Sequence, residues 1–374
     1  MHLWISRPQR VNSESDSQES PLLTASEAAA NLTTWYNAGR PLFPRSSLQS
    51  IRDELKKPLA QGDFIYIEGF DGEMYQHPVR IGVSKDYYPS FSASDDKEGS
   101  VQEDKIERWV LSTPCIYYTG YESLIRDLDD DLTRAYCPIL IAHVMTRCGE
   151  VAEEVENVEG AIKSFDTTLR GWEGSETWRE IKDTLIRLDL TYKIPKIIGM
   201  ACGEFTITSR SEGSPRSSRR SAVQNAFLVT LSTLLQESGL GTTSVACYAQ
   251  DPAYSPTDQA VLQSHGIEVV DDPDGFLRID DTSLVFSCSP NICVKQIVTE
   301  IARPTILIWC SVDTTQPASR TTDPDSPRVR EMIQKEYDVF PFPEDDRDDF
   351  TTMAIYVKKA ARVPPNKELD SRQI

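Results

Sequence analysis

The chain has 374 residues, of which 39% are hydrophobic, and a formal net charge of −19 at pH 7. This length allows about two domains and a sizeable buried core. The acidic balance argues against non-specific binding to nucleic acid or to an anionic membrane surface, because both require a positive field. We therefore expect protein partners or a small molecule, and neither nucleic acid nor membrane.

The cysteines predict free thiols in a reducing compartment. No two of the eight cysteines have the CxxC spacing of a zinc site or a redox dithiol. The chain has only four histidines, and we expect no metal centre. No apolar run approaches the roughly 20 residues that span a bilayer, and the amino terminus does not resemble a signal peptide. We expect a protein of the cytoplasm, the nucleus or both.

Composition and patterning divide the chain into four predicted regions. Residues 1–40 are expected to be a disordered leader, and residues 41–155 a region with a helix, "SSLQSIRDELKK", and a hairpin around the Asp-Gly turn of "FDGEM". The polar stretch Ser92–Asp104 predicts a mobile loop within that region. Residues 156–313 form the predicted main domain, and residues 314–374 a linker followed by an acidic, loosely ordered tail.

Residues 156–313 carry five strand signals separated by helical patterns or turns. This alternation predicts an α/β fold with a Rossmann-like, mostly parallel sheet flanked by helices, next to an α+β amino-terminal region and a disordered tail. The helix after the second strand has Ser255 as its predicted N-cap and Pro256 at its first position. The predicted strand segments are Lys196–Gly203, Ser244–Tyr254, Gly266–Phe276, Ser283–Asn291 and Thr305–Asp313.

The turns after the first four strands meet at one edge of such a sheet, where open α/β sheets bind ligands. Glycines after the first strand and an acidic residue after the second are typical of a nucleotide or S-adenosylmethionine site. The glycine spacing is G-x-x-x-G, however, and the alternative is that the glycines allow close packing and the aspartates begin exposed turns. The candidate residues are Gly199, Gly203, Asp251, Pro252, Asp271, Asp272, Ser289, Pro290 and Asn291.

The connection after the first strand, residues 204–220, is long and rich in serine and arginine. Arg210, Arg216, Arg219 and Arg220 allow three interpretations: an anion-gripping lid over the crevice, a phosphorylatable switch, or a disordered surface loop. A disordered loop is the simplest of the three.

The sequence shows no catalytic set. Cys288 and Cys293 have no histidine near them in sequence, and His265 is predicted to lie at the opposite edge of the sheet, so a Cys-His pair is not expected. No catalytic residue and no metal ligand is therefore assigned. The sequence requires no cofactor, and the crevice is compatible with a nucleotide-like ligand.

Between residues 160 and 312, the segments "KIPKIIGMACGEF" and "CYAQDPAYSPTDQAVLQSHGIEVVDDPDGF" contain several motifs in a fixed order. These motifs resemble the sensitivity-to-red-light-reduced (SRR-like) domain family. The segments "SCSPN" and "ARPTILIW" look like its filamentous-fungal branch. Two positions depart from the pattern: Glu204 follows the second glycine where many members have serine, and Ser289 stands where many have histidine. The positions that carry the resemblance are Gly199, Gly203, Asp251, Pro252, Tyr254, Asp258, Leu262, Gly266 and Val269.

The resemblance implies a Rossmann-like domain in a regulatory protein of the kind linked to light, clock or stress signalling. We expect such a protein to act by binding a small molecule or a protein partner. The alternative is an enzyme of the methyltransferase or oxidoreductase type that depends on S-adenosylmethionine or a nucleotide.

Overall fold

The computed structural model divides the chain into two compact units, Met1–Glu154 and Val155–Ile374. The residues that the structure describes are 2–11, 23–87, 107–129, 132–148, 157–206, 215–315, 321–345 and 347–362.

The first unit contains two antiparallel sheets and three α-helices within its described residues. One sheet has the strand order β1-β7-β6-β5 and the other the order β2-β4-β3. The predicted hairpin is confirmed as the antiparallel pair β3–β4, and the predicted helix as α2. The elements are β1 (His2–Ile5), β2 (Gln9–Arg10), α1 (Ala25–Asn37), α2 (Arg45–Leu55), β3 (Phe64–Glu68), β4 (Met74–Pro78), β5 (Ser84–Tyr87), β6 (Glu107–Tyr118), α3 (Tyr121–Arg126) and β7 (Ile139–Arg147).

The expectation of a disordered leader over residues 1–40 is wrong for much of that segment. Strand β1 pairs with β7, and helix α1 begins with a capping box in which Thr24 and Glu27 each bond the other's backbone N–H. Short ordered elements of this kind depend on distant pairing partners, which local composition does not show. The predicted loop Ser92–Asp104 lies outside the described residues.

The second unit is built around one seven-stranded sheet of order β10-β9-β8-β11-β12-β14-β13. The first five strands of that order are parallel, and β14 runs antiparallel to both of its neighbours. The elements are α4 (Val158–Glu173), α5 (Glu176–Ile186), β8 (Ile194–Met200), α6 (Pro215–Glu237), β9 (Gly241–Gln250), α7 (Pro256–Ser264), β10 (Ile267–Val269), α8 (Asp274–Arg278), β11 (Leu284–Ser287), α9 (Val294–Ile301), β12 (Ile306–Cys310), α10 (Pro327–Glu336), β13 (Tyr337–Pro341) and β14 (Met353–Lys358).

All five predicted strands are present, and the α/β class with a mostly parallel sheet is confirmed. Each strand ends at least three residues earlier than predicted, because the sequence segments included the polar turns that follow. Strand β12 is almost wholly buried, as expected for a strand covered on both faces. Helix α7 begins as predicted, with the Ser255 hydroxyl accepting from the Asp258 N–H at 3.0 Å and Pro256 at the first position.

The expectation of a loose tail over residues 314–374 is wrong for residues 327–358. These residues form α10, β13 and β14, and the first five residues of β14 are buried between β12 and β13. The acidic run before β14 obscured its apolar pattern in the sequence. Buried apolar area on both of its faces, rather than local composition, explains why this segment completes the sheet.

The connection after β8 is also shorter than predicted, because α6 begins at Pro215 rather than after residue 220. Serine and arginine dominate the first turns of this helix, and they gave no apolar periodicity from which to place its start.

Candidate functional site

The order of the strands places a switch point between β8 and β11. From β8 the chain proceeds outward to β9 and β10 on one side, and then returns to β11 and β12 on the other. Connections from adjacent strands therefore leave in opposite directions, and a crevice can form at their carboxyl ends. Gly199 lies within β8 rather than in the turn after it. The other candidate residues predicted from the sequence follow β8, β9, β10 or β11 and belong to this edge.

The two candidate glycines, one within β8 and one in the turn after it, both have a structural role. A Cβ on Gly199 would lie 2.4 Å from Cδ1 of Leu228, so this glycine lets α6 pack against β8. Gly203 has a φ of +78°, a backbone conformation that residues other than glycine rarely adopt. A Cβ added at this position would lie 2.5 Å from the Ser221 hydroxyl oxygen. The packing interpretation therefore accounts for Gly199, whereas Gly203 also sets the direction of the turn.

Asp251 holds the first turn in place. Its carboxylate accepts the Gly203 N–H at 2.7 Å and the Ala253 N–H at 2.8 Å. Burial raises the pKa of Asp251, although these two backbone hydrogen bonds favour the charged form. Both carboxylate oxygens already accept a backbone hydrogen bond, so Asp251 has less capacity for ribose hydroxyls than the sequence suggested. Pro252, next to it, is exposed.

Asp258 continues this anchoring deeper in the fold. Its side chain is fully buried, and one oxygen accepts the N–H groups of Phe205 and Thr206 at 3.2 and 2.8 Å. The other oxygen accepts the Ser255 N–H at 2.8 Å within the capping box of α7. A buried carboxylate is tolerated when several donors surround it. Asp258 therefore ties the connection after β8 to the start of α7.

A buried amide and a buried phenol complete the same network. Asn225, on α6, donates to the carbonyl oxygens of Ser221 at 2.9 Å and Gly203 at 3.4 Å. The Tyr254 hydroxyl donates to the side-chain oxygen of Asn225 at 2.7 Å. Burial raises the pKa of Tyr254 well above its ordinary value, so the phenol stays protonated and acts as a donor. The sequence analysis missed Asn225, a lone amide in an otherwise apolar stretch of helix.

The acidic residues after β10 do not reach this network. The Gln250 side-chain amide donates a hydrogen bond to the Asp272 carboxylate at 3.0 Å. The Gln250 amide oxygen accepts the Gly275 N–H at 2.7 Å. Asp271 is exposed, and its carbonyl accepts the Asp274 N–H in a tight turn. This is the turn that the alternative interpretation predicted.

The residues after β11 form a separate cluster with Thr351, which belongs to the segment predicted to be a loose tail. The Ser289 hydroxyl lies 3.0 Å from Oγ1 of Thr351 and 3.6 Å from Sγ of Cys310. Cys288 lies 3.8 Å from the same threonine oxygen. Burial raises the pKa of Cys288 to about 11, so its thiol is protonated at neutral pH and is a poor nucleophile. Because the tail was expected to be loose, the sequence analysis missed Thr351.

Pro290 and Asn291 serve the next connection. Pro290 is buried, and its carbonyl accepts the Thr322 hydroxyl at 2.7 Å, whereas Asn291 is exposed. At the start of α9, the Lys295 N–H donates to the Asp323 carboxylate at 2.9 Å. A carboxylate of the chain thus lies at the helix end where an anionic ligand would otherwise bind.

Two of the four arginines of the serine-rich connection are used in ion pairs. The Arg219 guanidinium makes two contacts with the Asp349 carboxylate, at 2.8 and 2.7 Å, and Arg220 pairs with Asp348. They join the start of α6 to the segment before β14. Arg210 and the side chain of Arg216 lie outside the described residues.

Ser287, the last residue of β11, has a hydroxyl that the sequence analysis did not single out. It is 1% exposed, and it has no hydrogen-bond partner among the described residues. Ser287 pairs with Met200 of β8, which places it directly at the switch point. Ala201 and Ser289, which follow these two strands, both have positive φ values, +55° and +50°. Such backbone is costly for residues other than glycine and often occurs at functional sites.

A depression of about 450 Å³ lies at the opposite, amino-terminal edge of the sheet. Its lining mixes charged and polar side chains, and Asp281 there already pairs with Lys358 at 2.9 Å. It is therefore distinct from the crevice at the switch point. The lining residues are Tyr192, Lys193, Pro195, Thr242, Asp281, Thr282, Lys358 and Ala360.

Two absences concern only the described part of the chain. No group of three or more His, Cys, Asp or Glu side chains is placed to hold a metal ion there. No helix there is long and apolar enough to cross a membrane.

Part of the second unit matches a known protein family. Residues 181–357 match the family described as the SRR1 domain, a span that runs from α5 through β14. No protein with a curated description matches the chain. Among solved structures, the chain is similar to one described as a crystal structure of the small RNA methyltransferase HEN1, at 10% identity and a TM-score of 0.25. The match covers 70% of this chain and 34% of that one. A TM-score of 0.25 is too low to assign a fold or a function from this likeness.

Proposed function

We propose that this chain, which carries an SRR1 domain over residues 181–357, is a regulatory protein that acts by binding a small polar molecule at the switch point between β8 and β11. The proposed cellular role is signalling of the light, clock or stress type, in the cytoplasm or the nucleus, as the SRR-like resemblance implies. We treat the domain as Rossmann-like, since its parallel strands follow the order that such folds use from the first to the fifth strand.

The buried hydroxyl of Ser287 is the observation that carries this proposal. A polar group that is buried without a partner costs about 1–3 kcal/mol, and almost all such groups in folded proteins are hydrogen-bonded. Ser287 lies at the place where open α/β sheets bind their ligands. A ligand that enters between the turns after β8 and β11 would supply the missing hydrogen bond.

The chemistry of the surrounding residues supports binding rather than catalysis. The carboxylates of Asp251 and Asp258 accept backbone hydrogen bonds, and neither is presented as a general base. Burial raises the pKa values of the Cys202 and Cys288 thiols, which therefore stay protonated near neutral pH. These groups set the shape of the first connection, and none of them forms an acid, base or nucleophile set.

The amino-terminal ends of two described helices at this edge indicate which class of ligand fits. The start of α7 is capped by its own Ser255 and Asp258, and the start of α9 by Asp323. At these two helix starts, the position that would favour a phosphate is thus occupied by a group of the chain. Helix α6 also begins at this edge, at Pro215. We therefore expect S-adenosylmethionine or an uncharged polar molecule to bind better than a nucleoside triphosphate.

An enzyme dependent on S-adenosylmethionine or a nucleotide is the second candidate. The glycine turn after β8 and the acidic residue after β9 favour it, since dinucleotide folds use these positions for the cofactor. The two hydrogen bonds that already occupy Asp251 count against it. Turnover of a bound cofactor, measured as methyl or hydride transfer, would establish the enzyme and replace the binding proposal.

A thermal-shift screen of the full chain tests the proposal. The ligands are S-adenosylmethionine, NAD(P)H, ATP, GTP and haem, each at rising concentration. A ligand at a hundred times its dissociation constant stabilises the folded state by about 2.7 kcal/mol, which is readily detected. We expect a shift for S-adenosylmethionine that is weaker in Ser287→Ala. The absence of a shift with every ligand would overturn the small-molecule proposal and leave a protein partner as the regulatory ligand.

A further inference from the structure

Two cysteines lie near each other at the carboxyl edge of the sheet, Cys310 at the end of β12 and Cys288 directly after β11. Strands β11 and β12 are parallel, with Phe286 opposite Ile308. Continuing this register by two residues places Cys288 opposite Cys310. Neighbouring strands lie about 4.8 Å apart, and cysteines joined by a disulfide have Cα atoms roughly 4.4–6.8 Å apart. The backbone spacing therefore suits a disulfide.

The side chains of the two cysteines share their surroundings. Both pack against the same apolar core on the α6 face of the sheet. Their sulfur atoms contact one oxygen, Oγ1 of Thr351, at 3.8 Å from Cys288 and 3.4 Å from Cys310. Cys288 is buried, whereas Cys310 is partly exposed. One thiol is thus accessible to a reagent, and the second lies beside it.

We propose that Cys288 and Cys310 form a reversible dithiol–disulfide pair that low-molecular-weight disulfides, such as glutathione disulfide, oxidise. The sulfur of Cys310 attacks the disulfide, forms a mixed disulfide and releases one thiol. Cys288 then loses its proton, a step that its raised pKa makes slow at neutral pH. Its sulfur attacks Cys310, forms the S–S bond and displaces the second thiol. The two protein thiols lose two electrons and two protons, and the reagent becomes two thiols. This modification is independent of the proposed binding function.

Peptide mapping of the full chain tests the pair. The folded protein is equilibrated with reduced and oxidised glutathione, remaining thiols are alkylated, and a tryptic digest is measured without reduction. Cys288 lies in the fragment 279–295, and Cys310 in the fragment 296–320, since Pro304 blocks cleavage after Arg303. We expect these fragments to be linked and to separate on treatment with dithiothreitol.

Single variants assign the sulfur atoms. Fragment 279–295 also contains Cys293, so Cys293→Ser should retain the link, whereas Cys310→Ser should abolish it. Cys148→Ser, at an exposed cysteine, is the matched control and should also retain it. Cys310 is partly exposed, so its variant is expected to fold even if Cys288→Ser does not. A link to Cys202 instead, stable glutathione adducts without a link, or full alkylation of both cysteines would overturn the proposal.

Discussion

The two units bury polar side chains in different ways. In the first unit, His77 is fully buried, and neither of its ring nitrogens has a hydrogen-bond partner among the described residues. His143 is equally buried, and its Nε2 accepts the Arg80 N–H at 2.9 Å. In the second unit, Asp258 and Asn225 are just as buried, yet each makes several hydrogen bonds to the connection after β8 or its neighbours.

This difference shows which buried groups shape a site and which are only tolerated. A histidine can be buried as the neutral imidazole, at the cost of its ability to take up a proton. A carboxylate keeps its charge only where donors surround it, and those donors then fix the backbone. The second unit uses its buried polar groups to shape the switch-point edge, whereas the first unit is expected to be sensitive to acid.

The largest expected effect is the loss of Asp258. In Asp258→Ala, the N–H groups of Phe205 and Thr206 lose their acceptor and α7 loses its capping box. We expect the free energy of unfolding to fall by about 3 kcal/mol or more in urea titrations. Asp271→Ala is the control, because Asp271 is exposed, and it should change stability by less than about 0.5 kcal/mol. Equal effects of the two variants would show that Asp258 does not anchor the connection.

The acid sensitivity of the first unit comes next. Burial lowers the pKa of His77 and of His143 to about 4, below the ordinary value of 6.5. The unfolded chain therefore binds protons below pH 6.5 that the folded chain does not bind. The first unit should lose stability as the pH falls from about 6.5 to 4, by up to about 3 kcal/mol for His77.

Urea titrations at several pH values measure this effect. His77→Leu should lose less stability on acidification than the natural protein does, whereas His2→Ala, at an exposed histidine, should follow the natural protein. An unchanged pH dependence in His77→Leu would contradict the role of burial at this position.

A smaller effect tests the hydrogen bonds of the second unit. Tyr254→Phe removes only the hydroxyl that donates to Asn225. One buried amide oxygen then loses a donor, and we expect a loss of about 1–2 kcal/mol in the unfolding free energy. Tyr248→Phe is the matched control, since the ring of Tyr248 packs under Arg278 and the substitution keeps that ring. A neutral Tyr254→Phe would mean that this network contributes little to stability.

The sequence predicted the parallel sheet because each strand is a short, nearly continuous apolar run bounded by turn residues. It also predicted which turns share an edge, since parallel strands end on the same side. It did not predict the role of Asp258, because its partners are backbone N–H groups more than fifty residues earlier in the chain. The contacts of Thr351 with Cys288 and Cys310 could not be predicted either, because these residues are also far apart in the sequence.

The Ser287 hydroxyl has no hydrogen-bond partner among the described residues. The comparison of Ser287→Ala with Ser283→Ala tests most directly whether this hydroxyl is unsatisfied in the free protein. Ser283 lies just before the same strand and is fully buried, but its hydroxyl accepts the Asp280 N–H and donates to the Asp280 carboxylate, both at 3.0 Å. In urea titrations without ligand, we expect Ser283→Ala to lose about 1–2 kcal/mol of unfolding free energy. Ser287→Ala should lose nothing or become more stable. An equal loss in both variants would contradict the account, because it would show that the Ser287 hydroxyl is already satisfied in the free protein.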